Sequence, residues 1–184
     1  MRVVGGEFKG RPIAAPPGRD TRPTSDRARE SLFNILVHGA RMDLADAIVL
    51  DVFAGSGALG LEALSRGAAL CTFIENARTA QRSIEENLSA FDLGNRGSVL
   101  KVNATKLPMR PDHMAPAHLA FLDPPYGKDL APPALTSLLD GDWLAPKAIS
   151  VVETERGESF TAPAPFVLTD RRTYGPAEIS FLHS

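Results

Sequence analysis

The chain has 184 residues, with 20 Lys/Arg against 22 Asp/Glu and a formal net charge of −2. That length suits one domain with a sizeable core, and no run of 18 apolar residues is present to form a membrane-spanning helix. Cys71 is the single cysteine, which excludes an internal disulfide, and the four histidines (His38, His113, His118 and His183) are scattered without metal-site spacing, so no metal is expected.

The first residues lack the apolar stretch of a signal peptide, and a reducing, cytoplasmic setting is the expectation. Residues 1–15 read as a short hairpin with arms Arg2-Val3-Val4 and Pro12-Ile13-Ala14, followed by a Pro16-Pro17-Gly18 loop. Ser25 or Asp26 caps a helix running to about Val37, with Ala28, Leu32, Ile35 and Leu36 on its apolar face and Arg27 and Arg29 off it. Residues 1–41 hold eight Lys/Arg and four Asp/Glu, whereas 42–184 hold twelve and eighteen. The surplus of positive charge therefore sits in a basic extension (1–41), which is the phosphate-facing candidate, and 42–184 form the main domain. A solvated charged surface is the plainer alternative.

From residue 47 strands and helices alternate. Ala47-Ile48-Val49-Leu50 is a buried strand, a helix begins at Leu59 and ends near Arg66-Gly67, and 70–74 is the next strand. A helix spans about 77–91, with Ala80, Ile84, Leu88 and Phe91 on one face and Gly94 beyond its end. Strands follow at 98–102 and 118–123, separated by a proline-bearing loop over 104–117. A helix over 130–139, a fifth strand at 149–153 and a hairpin (166–173 and 178–182) around Tyr174-Gly175-Pro176 complete the chain. Such alternation implies an α/β fold, a mainly parallel sheet with helices on both faces, whose ligands bind beyond the carboxyl ends of the strands.

Two motifs fall at such ends. Asp51-Val52-Phe53-Ala54-Gly55-Ser56-Gly57-Ala58-Leu59-Gly60 gives strand, glycine-rich turn, helix, and an acidic residue, Glu75, closes the next strand. Glycines permit a tight turn and close approach of a ligand, and a carboxylate at Glu75 is placed to grip ribose hydroxyls. Nicotinamide and flavin sites share this logic. The second motif is Asp123-Pro124-Pro125-Tyr126, after the apolar run Leu119-Ala120-Phe121-Leu122. Two prolines stop the strand and stiffen a corner that presents a carboxylate, the Pro124 carbonyl and an aromatic ring. The carboxylate and carbonyl suit the two N–H bonds of a planar base's amino group, and the ring suits stacking; a turn with Tyr126 covering the core is the bland alternative. Asp51 before the glycine turn, together with the Pro-Pro-aromatic corner, favours S-adenosylmethionine over a nicotinamide.

These segments, with Arg2-Val3-Val4-Gly5-Gly6-Glu7-Phe8-Lys9-Gly10-Arg11, Thr21-Arg22-Pro23-Thr24, Arg29-Glu30-Ser31-Leu32-Phe33-Asn34 and Tyr174-Gly175, make the chain resemble the class I methyltransferases, and within them the bacterial 16S rRNA guanine-N2 methyltransferases of the RsmD type. The Thr-Arg-Pro-Thr segment is the more specific part, because Asp-Pro-Pro-Tyr is shared with adenine-N6 enzymes. The resemblance implies a Rossmann-like class I methyltransferase fold: a seven-stranded sheet with a C-terminal antiparallel hairpin and a short N-terminal hairpin-plus-helix extension. It implies S-adenosylmethionine as cofactor, held by Asp51, by Phe53, Ala54, Gly55, Ser56 and Gly57, and by Glu75, Asn76, Asn103 and Ala104. Asn103 stands where the family more usually carries Asp, and its side-chain oxygen is expected to accept from the adenine amino group. Asp123, Pro124 and Tyr126 are the expected catalytic set. Arg2, Lys9, Arg11, Arg22, Thr24, Arg27 and Arg29, with Arg19 beside them, are the RNA-contact candidates. The expected partner is 16S rRNA within the small ribosomal subunit, and the expected state is a monomer. The rivals are a DNA adenine-N6 methyltransferase, a non-catalytic rRNA-binding assembly factor and a nicotinamide enzyme.

Overall fold

A computed structural model describes residues 1–17, 26–39, 42–158 and 160–184. The chain begins with an irregular hairpin whose only bridge pairs Arg2 with Pro12, supported by backbone bonds from Val3 N–H to Arg11 O and from Ile13 N–H to Met1 O. Helix α1 (Asp26–Asn34) follows and loosens into a wider turn, Ile35–Gly39. The expected cap at Ser25 lies outside the described residues, as do Arg19, Arg22 and Thr24.

The main domain reads β1 (Ile48–Val52), α2 (Ala58–Ser65), β2 (Leu70–Ile74), α3 (Arg78–Ala90), β3 (Gly97–Leu100), β4 (Ala117–Leu122), α4 (Ala131–Asp140), β5 (Leu144–Glu155), β6 (Val167–Tyr174) and β7 (Ala177–His183). One seven-stranded sheet has the order β3-β2-β1-β4-β5-β7-β6. The strands β1 to β5 pair in parallel, and the β6–β7 hairpin joins antiparallel. The mainly parallel sheet is what the alternation implied, and the seven-stranded Rossmann-like class I arrangement with its C-terminal hairpin is what the resemblance implied. Among the described residues no helix is long and apolar enough to cross a membrane.

Alternation along the strands sorts the core into two clusters. Val49, Phe73, Phe121, Val151 and Phe181 face one side with Leu61 and Ile84. Leu50, Ile74, Leu122, Val152 and Leu182 face the other with Leu135 and Leu138 of α4. A period of two is what a pleated strand imposes. Val3, Phe8, Ile13, Leu32, Phe33 and Leu36 of the N-terminal segment belong to the first cluster. Each such fully buried side chain contributes about 1.5–3 kcal/mol, enough together to seat the segment on the sheet.

Several boundaries differ from expectation, the first helix ending at Asn34 and the fifth strand running on to Glu155, and two of the differences have a visible cause. The fifth strand starts at Leu144 rather than at 149, because Lys147 takes a positive φ of 63° and the register slips there, so the alternation that marks a strand is broken over 144–148. The third strand ends at Leu100, because Val102 N–H turns back onto the Leu100 carbonyl at 3.1 Å and the chain leaves the ladder there.

Candidate active site

The pleat carries four carboxylates toward the same sheet edge. Register pairs Asp51 with Phe73 on β2 and with Phe121 on β4, and Phe121 with Val151 on β5. Two residues further along, Glu75, Asp123 and Glu153 emerge on the same face, one row beyond Asp51. Neighbouring parallel strands are about 4.8 Å apart, so Asp123 and Glu153 stand side by side.

Between them runs the glycine turn. Phe53 has a left-handed φ of 60° and Gly57 one of 78°. A non-glycine residue in that region stores strain, which marks the turn as a constrained feature. A Cβ at Gly60 would come 2.4 Å from the Phe73 ring and 2.6 Å from the Cys71 sulfur, so only glycine lets α2 approach β2 this closely. Buried Asp51 accepts the Gly60 N–H at 2.8 Å, satisfying an otherwise orphaned donor in the first turn of α2. Burial, with the Glu75 charge added, raises its carboxyl from 3.8 to about 7, despite the Gly60 bond.

Glu75 is also buried and ties three backbone amides together. One oxygen accepts Gly55 N–H at 2.9 Å, and the other accepts Asn76 and Ala77 N–H at 2.9 and 2.8 Å. It thus clamps the glycine turn against the start of α3. Asn76 is exposed and Ala104 buried. At Asn103 the expected acceptor is engaged: its side-chain oxygen accepts both the backbone N–H and the hydroxyl of Thr105, each at 3.0 Å. Any adenine amino group would have to share or compete with Thr105 for that oxygen.

The Pro-Pro corner is held at both ends. Asp123 N–H donates to Val52 O at 3.3 Å, which docks the corner beside the glycine turn. Gly127 N–H donates to Glu158 at 3.2 Å, and Glu158 also accepts Glu155 N–H. The Tyr126 hydroxyl donates to Glu153 at 2.8 Å. Burial, then the charges of Glu153 and Asp51, push the Asp123 carboxyl well above the usual carboxylate value. Burial and Glu153 likewise push the Tyr126 phenol up. A pocket against this corner is lined by Pro124, Pro125, Tyr126, Glu153, Glu158 and Phe160, among others. The sequence reading gave Glu153 no role. The available signal was its place at the end of an apolar run with the parity of Val151, at the same edge as Asp123.

The basic candidates divide. Lys9 and Arg27 are exposed. Arg2 is exposed and paired with Asp26 at 3.0 Å. Arg11 stacks on Phe91, 4.3 Å from the ring centroid, and donates to the Ala90 carbonyl. Arg29 is a correction: its side chain is 1% exposed and bridges Asp26 at 3.0 Å, Glu62 at 3.8 Å and the Arg2 carbonyl. It ties α1 to α2 inside the protein and does not face solvent. Among the described residues no His, Cys, Asp or Glu group could hold a metal ion.

Comparison with known proteins returned one family model, "Conserved hypothetical protein 95", over residues 1–183. The ribosomal RNA small subunit methyltransferase D of Escherichia coli K12 is 38% identical over 176 residues, covering 95% of this chain and 85% of that protein. Its namesake from Haemophilus influenzae is 33% identical over 176 residues, with 95% and 89% coverage. A solved Escherichia coli structure assigned as a methyltransferase, yhhF, superposes with a TM-score of 0.83 at 37% identity, covering 100% of this chain and 97% of that one.

Proposed function

The chain belongs to the conserved hypothetical protein 95 family, the RsmD methyltransferases, and on that premise we propose that it moves a methyl group from S-adenosylmethionine to the N2 amino group of a guanine in 16S rRNA of the small ribosomal subunit. The observation that carries this reading is the docking of the Asp123-Pro124-Pro125-Tyr126 corner against the glycine turn through the bond from Asp123 N–H to Val52 O. That contact supports reading the corner as the base site and the neighbouring turn as the cofactor site.

The acidic row fits a cofactor that carries a sulfonium and an ammonium. When bound, that group supplies a methyl already activated for displacement. Asp51 holds the ammonium end, the backbone from Phe53 to Gly57 wraps the methionine and sugar, and Asn76, Asn103 and Ala104 border the adenine. Glu75 uses three of its roughly four lone-pair positions on backbone amides, so a ribose hydroxyl takes the remaining position and shares Glu75 with Gly55.

The guanine amino group is a poor nucleophile because its lone pair is delocalised into the ring. Asp123 and the Pro124 carbonyl accept its two N–H bonds, which favours a pyramidal nitrogen and aims the lone pair at the methyl. Positive charge developing on nitrogen as it takes the methyl is stabilised by Asp123. It is discharged by loss of one N–H proton to an acceptor at the site or to water, and holding the two atoms in line would supply much of the rate. Tyr126 stacks on the base, which must be unstacked or single-stranded to enter. Arg2, Lys9 and Arg27, with Arg22 and Thr24 outside the described residues, meet the RNA backbone.

The test is transfer of labelled methyl to undermethylated small subunits, naked 16S rRNA and duplex DNA, with the modified nucleoside identified. N2-methylguanosine in rRNA is expected. N6-methyladenine in DNA, or cofactor binding with no transfer to any of the three, overturns the reading.

A further inference from the structure

We propose that Glu153 selects the target base, accepting the N1–H of a guanine while Asp123 and the Pro124 carbonyl hold the neighbouring N2 amino group. The inference rests on the guanine-N2 reading above and adds the residue that makes the corner specific.

An Asp-Pro-Pro-Tyr corner offers the same acceptors to any exocyclic amino group, so by itself it does not separate a guanine N2 from an adenine N6. The two bases differ at the next ring atom. Beside N2 a guanine carries N1–H, a donor; beside N6 an adenine carries N1 with a lone pair, an acceptor. Whatever protein group lies next to Asp123 along the base edge therefore reads the difference.

Glu153 is that group. It is the next carboxylate along the row, one strand over from Asp123 and on the same face, because Leu122 and Val152 are in register immediately before the pair. It is 7% exposed, so its contacts are made out of bulk water, where a mismatched partner is costly. Its orientation is fixed by the Tyr126 hydroxyl at 2.8 Å, so the ring that stacks on the base also sets the carboxylate that reads its edge. The raised Asp123 carboxyl reports the same proximity from the other side. Pro124 has no N–H to offer, so the corner beside Asp123 presents only its carbonyl. Two carboxylates in a row, Asp123 and Glu153, welcome N1–H next to N2–H2. They repel the bare N1 of an adenine.

The experiment uses the full chain with cofactor and small-subunit RNA carrying guanine, 2-aminopurine or adenine at the methylated position. 2-Aminopurine keeps the N2 amino group but replaces N1–H by a lone pair. The expected kcat/KM for guanine exceeds that for 2-aminopurine by about 10²-fold, the upper end of what leaving a buried polar group unpaired costs. In Glu153→Gln, whose amide offers a donor as well as an acceptor, that ratio falls to about tenfold or less, through loss on guanine and gain on 2-aminopurine. A merely structural Glu153 would lower both substrates alike and leave the ratio unchanged. Melting and cofactor affinity check that the variant folds, and the wild-type ratio decides without it: guanine and 2-aminopurine methylated within about threefold of each other overturns the proposal. So does a folded, active Glu153→Gln with the wild-type ratio. No N2-methylguanosine from wild type on natural subunits overturns the functional reading instead.

Discussion

Asp51 carries a carboxyl that burial holds at about 7, so the free protein keeps a proton there that an ordinary carboxyl, at 3.8, would have lost. Two consequences have opposite signs. Between about pH 4 and 7 the folded free chain binds more protons than the unfolded chain, so this group's contribution to stability falls as pH rises through that window. A bound ammonium favours the ionised form, so cofactor binding releases the proton, and affinity rises with pH by up to about tenfold per unit until pH 7. Calorimetry from pH 5 to 7 should show this rise, and Asp51→Asn should bind more weakly with a flat profile; a flat wild-type profile would separate Asp51 from the ammonium. Asp123→Ala should abolish methyl transfer while largely sparing cofactor affinity, and equal loss of both would contradict the division of roles. Asn103 offers a third test. An aspartate there has a second oxygen, one for Thr105 and one for adenine, so Asn103→Asp should tighten cofactor binding by about 3- to 10-fold, the worth of one hydrogen bond. Unchanged affinity would place the adenine elsewhere.

The elements show where a linear reading works and where it does not. Strands at 48–52, 70–74 and 117–122 were legible because each is a short apolar run ending in a polar residue at the carboxyl edge, and the pleat then dictates which face Asp51, Glu75 and Asp123 share. Helix α1 misled in one respect. A face drawn through Ala28, Leu32 and Leu36 leaves Arg29 outside, yet Arg29 and Phe33 form a second buried ridge four residues apart. Phe33 was the available sign; the partner, Glu62 on α2, lies 33 positions away in sequence and no local pattern points to it. Glu62 further accepts Val4 N–H at 2.8 Å and pairs with Arg66 at 2.7 Å, so one buried carboxylate joins the N-terminal segment, α1 and α2. Removing one partner of a buried pair leaves the other stranded. Arg29→Ala should therefore cost about 3 kcal/mol in chemical denaturation, at the lower end for such pairs because Arg66 remains. A loss below about 1 kcal/mol would mean that Arg29 is a bystander.

At the scale of the whole molecule, charge and topology address different surfaces. The sheet collects Asp51, Glu75, Asp123 and Glu153 at one edge, suited to a cationic cofactor and a base rich in donors, and no phosphate belongs there. Positive charge concentrates instead in residues 1–41, whose hairpin and α1 pack on the same face of the sheet as α2 and α3. On the proposed reading, an RNA backbone held by that segment would deliver one extruded base to the acidic edge, and a chain of net charge −2 would then still meet a polyanion through its basic end. The burial of Arg29 sharpens this division, since it removes one cation that composition alone had counted and leaves Arg2, Lys9, Arg11 and Arg27 exposed, of which Lys9 and Arg27 have no ion pair or ring contact among the described residues. If the division holds, Lys9→Ala with Arg27→Ala should flatten the dependence of log K on log salt for 16S rRNA by about 0.7–0.9 per lost phosphate contact, leaving cofactor affinity and melting unchanged. Arg29→Ala should do the reverse, lowering the melting temperature with the salt slope of the folded fraction intact. Identical salt slopes in wild type and the double variant would detach the basic extension from RNA and require the base to be delivered by another surface.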